Sequence, residues 1–143
     1  MAETIVKIEN LVKRYHELVA VDHFNLTVSK GEILGLLGPN GSGKTTTMNC
    51  LLSLLAYDKG SIEVFGKPMK PDSYDLKRNI GVVFQNVAVF DTLTVQENID
   101  YFCGPYFKDN KLRRQYVAEV IDFAGLSDFV KLYPKKIHGG LLR

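Results

Sequence analysis

The run Gly38-Pro39-Asn40-Gly41-Ser42-Gly43-Lys44-Thr45-Thr46 concentrates the chemistry of this 143-residue chain. It satisfies the pattern G-x-x-x-x-G-K-[ST] in full and lies between an apolar segment and the start of a helical one. Glycines let the backbone turn tightly and aim successive N–H groups at anionic oxygens, and the following helix presents its positive end to the same anion. Lys44 is placed to bridge the β- and γ-phosphates of a nucleotide, and the Thr45 hydroxyl to be a ligand of Mg²⁺. A glycine turn without a ligand would not require Lys and Thr at these offsets as well.

The elements that must position this loop are legible as changes of hydrophobic period. Val6 and Ile8, Leu26 and Val28, and Ile62 and Val64 each alternate with polar neighbours, as half-exposed strands do. Ile33-Leu34-Gly35-Leu36-Leu37 and Ile80-Gly81-Val82-Val83-Phe84 are apolar without alternation, which predicts parallel strands in the buried centre of a sheet. Between them Lys44 to Ala56 reads as an amphipathic helix with Met48, Leu51, Leu52 and Leu55 on its packed side. After Thr92 the pattern turns helical. Thr94 and Glu97 form a capping box ahead of the stripe Val95, Ile99 and Phe102, and Gly104-Pro105 ends that helix. A second helix is expected from about Lys111 to Ala124, capped by Asp109 or Asn110, with Leu112, Tyr116, Val120 and Phe123 inward. Pro134 is expected to break any third short helix starting near Ser127. The domains predicted are a nucleotide-binding α/β core over 1–91 and a helical subdomain over 92–143.

Composition bounds the setting. The chain is 45% hydrophobic and 24% charged, the balance of one globular domain, and its net charge of +2 is too small to suggest a nucleic-acid partner. From residue 108 onward eight basic residues face four acidic ones, which reads as a solvated helical face. Cys50 and Cys103 lack metal-ligand spacing and are expected to be reduced packing residues of a cytosolic protein. Neither a leader nor an apolar run long enough for a membrane span is apparent, so a membrane role is expected only through a partner.

From Ile5 to Arg143 the sequence resembles the ATP-binding subunits of ABC transporters, on Gly35-Leu36-Leu37 and the loop through Thr47 above all, which look like the branch of bacterial drug and antibiotic exporters. The resemblance implies an α/β fold: a P-loop NTPase core with an N-terminal antiparallel β part and a helical insert, incomplete at the C-terminus. It implies ATP and Mg²⁺ as ligands, with Gly38, Pro39, Asn40, Gly41, Ser42, Gly43, Lys44, Thr45 and Thr46 around the phosphates. Tyr15 in Val12-Lys13-Arg14-Tyr15-His16 matches the aromatic residue that stacks on adenine, a role its flat π-face suits. Gln85 matches the glutamine that reaches Mg²⁺ and the attacking water, so it is assigned both a catalytic and a metal-binding role. Val87 to Asp91 is the expected contact zone for a short helix of a membrane permease. Ile137-His138-Gly139-Gly140-Leu141 stands where the family carries Leu-Ser-Gly-Gly-Gln, the signature that binds the γ-phosphate of the other subunit in a head-to-tail homodimer. Gly139 and Gly140 keep the backbone approachable. The imidazole of His138 replaces a small hydroxyl and is expected to obstruct the sandwich or weaken its cooperativity more readily than to substitute for it.

No apolar strand ending in Asp-Glu follows, so the carboxylates that hold metal and polarise water in this family have no counterpart here; Asp91, Asp100, Glu119 and Asp122 are not promoted to that role. The chain alone is therefore expected to be a poor ATPase, and to be an N-terminal fragment of a longer subunit, truncated before the Walker B strand. Missing flanking strands would leave Ile33 to Leu37 with open edges, favouring self-association or a marginal fold. The expected function is to couple MgATP binding and hydrolysis to export through a permease, at the inner face of the cell membrane. The alternatives are a non-catalytic nucleotide-binding module and a soluble ABC-type ATPase without a permease.

Overall fold

The computed structural model describes residues 3–83 and 89–138, the side chains of Ile137 and His138 excepted. The chain divides into two compact units, Met1–Val82 and Val83–Arg143.

The first unit is built on a four-stranded antiparallel sheet. Strands β1 (Thr4–Tyr15), β2 (Leu18–Ser29), β3 (Lys59–Val64) and β4 (Lys67–Pro68) lie in the order β2-β1-β3-β4. Val6 pairs with Val28 and with Val64, and Ile8 with Leu26 and with Ile62, so the three alternating segments of the sequence meet in one ladder. Their inward side chains form the core: Ile8, Leu11, Val21, Ile62 and Val64 are buried together with Cys50, Met69 and Leu76. Leu11 and Val12 are both buried although adjacent, because the ladder slips at Asn10. There the backbone enters the left-handed region (φ 48°) and its N–H donates to Asn25 Oδ1 at 2.9 Å, so a bulge restores an inward face one residue later.

Helix α1 (Lys44–Leu51) packs on this sheet through Thr47 and Cys50. It is shorter than its apolar spacing predicts. Ser53 stands in the left-handed region (φ 53°), which stops the helix, and Leu55 reaches the core from a turn instead. Met48 faces outward, 45% exposed. Burial pushes the Cys50 thiol above its ordinary pKa, which leaves it a packing group. A single turn of helix, α2 (Tyr74–Lys77), buries Leu76.

The expectation of two buried central strands is corrected. Residues 33–37 and 80–83 form no strand; Ile33 and Leu37 are 101% and 92% exposed, and Val83 98%. An apolar run signals burial only where neighbouring strands supply hydrogen-bond partners and cover, and among the described residues none pairs with either segment.

The second unit is helical: α3 (Val95–Cys103), α4 (Asn110–Phe123), a 3₁₀ turn at Ser127–Phe129 and α5 (Pro134–His138). The capping box is present. Thr94 Oγ1 accepts from the Glu97 amide at 3.3 Å, and the Thr94 amide donates to Glu97 Oε2 at 2.7 Å, holding that carboxyl below its usual range. The next open donors of α3 are met by the chain after the 3₁₀ turn, Val95 N–H to Leu132 O at 2.9 Å and Gln96 N–H to Val130 O at 3.1 Å. Asp109 caps α4 by accepting from Lys111 and Leu112. Pro134 separates the 3₁₀ turn from α5 by opening the latter, where a missing N–H costs nothing.

The inward faces of both helices differ from the expected stripes. On α3 Val95 and Asn98 are buried while Phe102 is 46% exposed, and on α4 Val117 and Ile121 are buried while Phe123 is 94% exposed. The i, i+4, i+8 row Arg113, Val117, Ile121 faces inward on α4, and the ion pair of Arg113 Nε with Asp100 Oδ1 at 2.9 Å joins α4 to α3 on that face. Leu112, Tyr116 and Val120, one position earlier in each turn, are rotated towards solvent.

Candidate functional site

The loop 38–43 joins the exposed segment 33–37 to α1, and Gly43 fixes where it lies. Gly43 is the N-cap of α1 at φ 84°, and a Cβ there would stand 2.3 Å from the carbonyl oxygen of Ala20 on β2. Only glycine lets the loop approach the strand so closely while taking a left-handed turn. The helix beyond carries no side-chain cap and no acidic residue in its first turn, so its leading N–H groups are left for an external acceptor.

Lys44 folds back over the loop. Its Nζ donates to Gly38 O and Pro39 O, both at 2.7 Å, and to Ser42 Oγ at 3.3 Å. The ammonium is thus held above the cradle formed by its own backbone. Thr45 is exposed one residue into the helix, Thr46 is half-buried, and Asn40, Gly41 and Ser42 face solvent. Gly38 closes the loop's other end; a Cβ there would meet Ser42 Oγ at 2.6 Å.

A cleft of about 360 Å³ opens between this loop and β2, lined by Ala20, Asp22, Gly38, Pro39, Ser42 and Lys44 among others. The strand wall was not anticipated from sequence, because the contribution of Ala20 and Asp22 depends on which strand the loop lies against. Tyr15 is not in that lining. It ends β1, 43% exposed, opposite Leu18, and its strand runs along β2 in the register Arg14 with Val19 and Lys13 with Val21. The ring's residue therefore lies two strand positions, about 7 Å, from the level at which the loop touches β2.

Gln85 lies outside the described residues, as do Gly139 and Gly140. The backbone of His138 closes α5, and its side chain is outside the described set. Among the described residues no group of three His, Cys, Asp or Glu side chains could hold a metal. Asp91 pairs with Lys135 at 3.2 Å and Asp100 with Arg113, so both are occupied structurally. A larger cleft, about 680 Å³, lies in the helical unit against α3 and α4. Glu97 on its wall is engaged in the cap of its own helix, Asp100 and Arg113 are engaged with each other between α3 and α4, and none of its described lining residues is a glycine.

The sequence profile of the family described as "ABC transporter" matches residues 21–141. The chain is 33% identical over 124 residues to the probable multidrug ABC transporter ATP-binding protein YbhF of Escherichia coli (strain K12), covering 87% of this chain and 22% of that one. It is 37% identical over 144 residues to the osmoprotectant import ATP-binding protein OsmV of Salmonella typhimurium, covering 95% and 38%. The chain thus spans less than half the length of these curated relatives. Among solved structures, the ATP-binding cassette MJ0796, a dimer in a post-hydrolysis state bound to ADP and Pi, superposes with a TM-score of 0.73 at 26% identity, over 92% of this chain and 62% of that one.

Proposed function

The chain belongs to the ABC transporter family, and from that premise we propose that it is the nucleotide-binding part of a transport ATPase subunit, taking MgATP on the loop 38–46. The observation that carries this reading is the cradle itself: an uncapped helix start, a lysine held over it and a glycine that locks it against β2.

In this proposal the loop N–H groups and the start of α1 receive the β-phosphate, and Lys44 exchanges its contacts with Gly38 and Pro39 for phosphate oxygens. A Mg²⁺ ion suits such a site, because it keeps most of its water and needs only one or two protein ligands beside the phosphates. Thr45, exposed at the helix start, is one of these and Gln85 the other. When bound, the ion supplies charge neutralisation at the β- and γ-oxygens. Tyr15 gives the adenine a stacking face at the end of β1. Gln85 orients the attacking water and reports the nucleotide state to a membrane permease that docks against Val87 to Asp91. Two copies pair head to tail, with His138, Gly139 and Gly140 facing the partner's γ-phosphate, where the imidazole weakens the pairing.

No helix among the described residues is long and apolar enough to cross a membrane, and the permease supplies the membrane attachment in this reading. We assign the system to export on the sequence around the loop. Overall similarity carries no such assignment, since a relative named for import is matched as closely as one named for multidrug transport. The 143 residues alone hydrolyse ATP slowly in this reading, because none of their carboxylates follows an apolar strand beside the loop.

Calorimetric titration with MgATP tests the proposal. The chain binds, and Lys44→Ala loses most of the affinity, at least about tenfold, because charge-assisted contacts to phosphate disappear. Equal binding by both proteins would remove the loop from the function.

A further inference from the structure

Lys13 occupies an unusual place for a lysine. It sits on β1 opposite Val21 with its side chain only 13% exposed. Its Nζ stands 5.4 Å from the centroid of the Tyr15 ring, over the ring face, and 3.9 Å from Asp58 Oδ2. That carboxylate is itself fixed from two sides. Its Oδ2 accepts the Arg14 amide at 2.6 Å, and the Asp58 amide donates to Val12 O at 2.8 Å. The chain thus holds a carboxylate on the backbone of β1, the carboxylate holds the ammonium, and the ammonium lies on the aromatic ring.

We propose that Lys13 is a positioning residue for nucleotide binding, which presents Tyr15 as a one-faced platform to the adenine. The inference rests on the reading of Tyr15 as the stacking residue. A cation over one face leaves the opposite face as the landing surface and draws π-density away from it, which favours an electron-rich heterocycle stacked there. Holding the ring before the base arrives also removes an ordering cost from binding. Asp58 keeps the ammonium in place.

The test uses the 143-residue chain and two ligands, MgATP and magnesium tripolyphosphate, titrated calorimetrically. Tripolyphosphate engages the loop without a base, so it reports loop integrity alone. Lys13→Met is expected to weaken MgATP by about three- to tenfold while leaving tripolyphosphate unchanged, and Lys13→Arg, which retains a cation, to keep most of the MgATP affinity. Tyr15→Leu is expected to weaken MgATP selectively at least as much. Equal loss of both ligands in Lys13→Met would make Lys13 a merely structural ion-pair partner and overturn the proposal. So would unchanged MgATP binding in Lys13→Met beside a selective loss in Tyr15→Leu, which leaves the stacking reading standing. No selective loss in Tyr15→Leu overturns the stacking reading and this inference with it. Should Lys13→Met not fold, Tyr15→Trp decides. The chain has no other tryptophan, so quenching of that single indole by MgATP is read with Lys13 and with Lys13→Gln. Weaker quenching affinity in the Lys13→Gln form is expected, and equal affinity overturns the proposal.

Discussion

Gly43 and Gly41 share a left-handed backbone, φ 84° and 82°, yet their surroundings differ. A Cβ on Gly41 meets nothing within 4 Å, whereas one on Gly43 would stand 2.3 Å from the Ala20 carbonyl. Gly41→Ala therefore carries only the left-handed strain, about 1–2 kcal/mol. Gly43→Ala carries that strain and must also push the loop off β2, because backbone atoms on both sides cannot yield as a flexible side chain would. The expected outcome is that Gly41→Ala lowers the urea midpoint modestly, while Gly43→Ala lowers it further and loses MgATP binding. Equal effects would show that contact with β2 does not set the loop. At this scale the loop was largely legible from the chain, since its chemistry resides in residue type and spacing. The reason Gly43 must be glycine was not, because Ala20 is distant in sequence and meets it only through the fold.

Elements were legible where their signals are local. The alternating strands, the Thr94–Glu97 capping box and the Asp109 cap of α4 all stand where residue patterns put them, because each is decided within a few residues. Inward faces were less so, since a helix face is chosen by its neighbour: α4 buries Val117 and Ile121 on the side of the Arg113–Asp100 pair and leaves its more apolar stripe outside. Asn98 went unnoticed for the same reason. It is 4% exposed and fully used: its Oδ1 accepts from Phe90 N–H at 2.8 Å, and its Nδ2 donates to the carbonyls of Phe90, Leu93 and Thr94, each at 3.0 Å. One amide thereby fastens the chain entering α3 to the helix. Asn98→Ala leaves those groups without their partner and is expected to destabilise the helical unit by roughly 1–3 kcal/mol. Asn98→Asp should be at least as harmful at neutral pH, because a carboxylate oxygen would then face three carbonyls. Urea unfolding followed by circular dichroism checks both; an unchanged midpoint for Asn98→Ala would mean that water replaces the amide without loss.

At the scale of the whole molecule, the buried hydrophobic cluster belongs to the antiparallel sheet with α1 and α2, and the segment leading into the phosphate loop stands outside it. Ile33 at 101% exposure and Leu37 at 92% are large apolar side chains, and among the described residues no strand pairs with the backbone that carries them. Such a row is a hydrophobic patch carried on backbone without sheet partners, and both features favour association between chains. The 143-residue chain is therefore expected to bind a hydrophobic dye such as ANS and to show a sedimentation coefficient that rises with concentration. Ile33→Lys separates this behaviour from nucleotide binding, because Leu36 and Leu37 line the cleft beside the loop and Ile33 does not. A charge placed at Ile33 should reduce dye binding and association while leaving MgATP affinity within about twofold, as edge lysines do in natural sheets. If association persists unchanged in Ile33→Lys, the sticky surface lies elsewhere. If MgATP binding falls with it, the segment holds the loop in shape despite its exposure, and a partner strand laid along it would then tighten nucleotide binding as well as cover it.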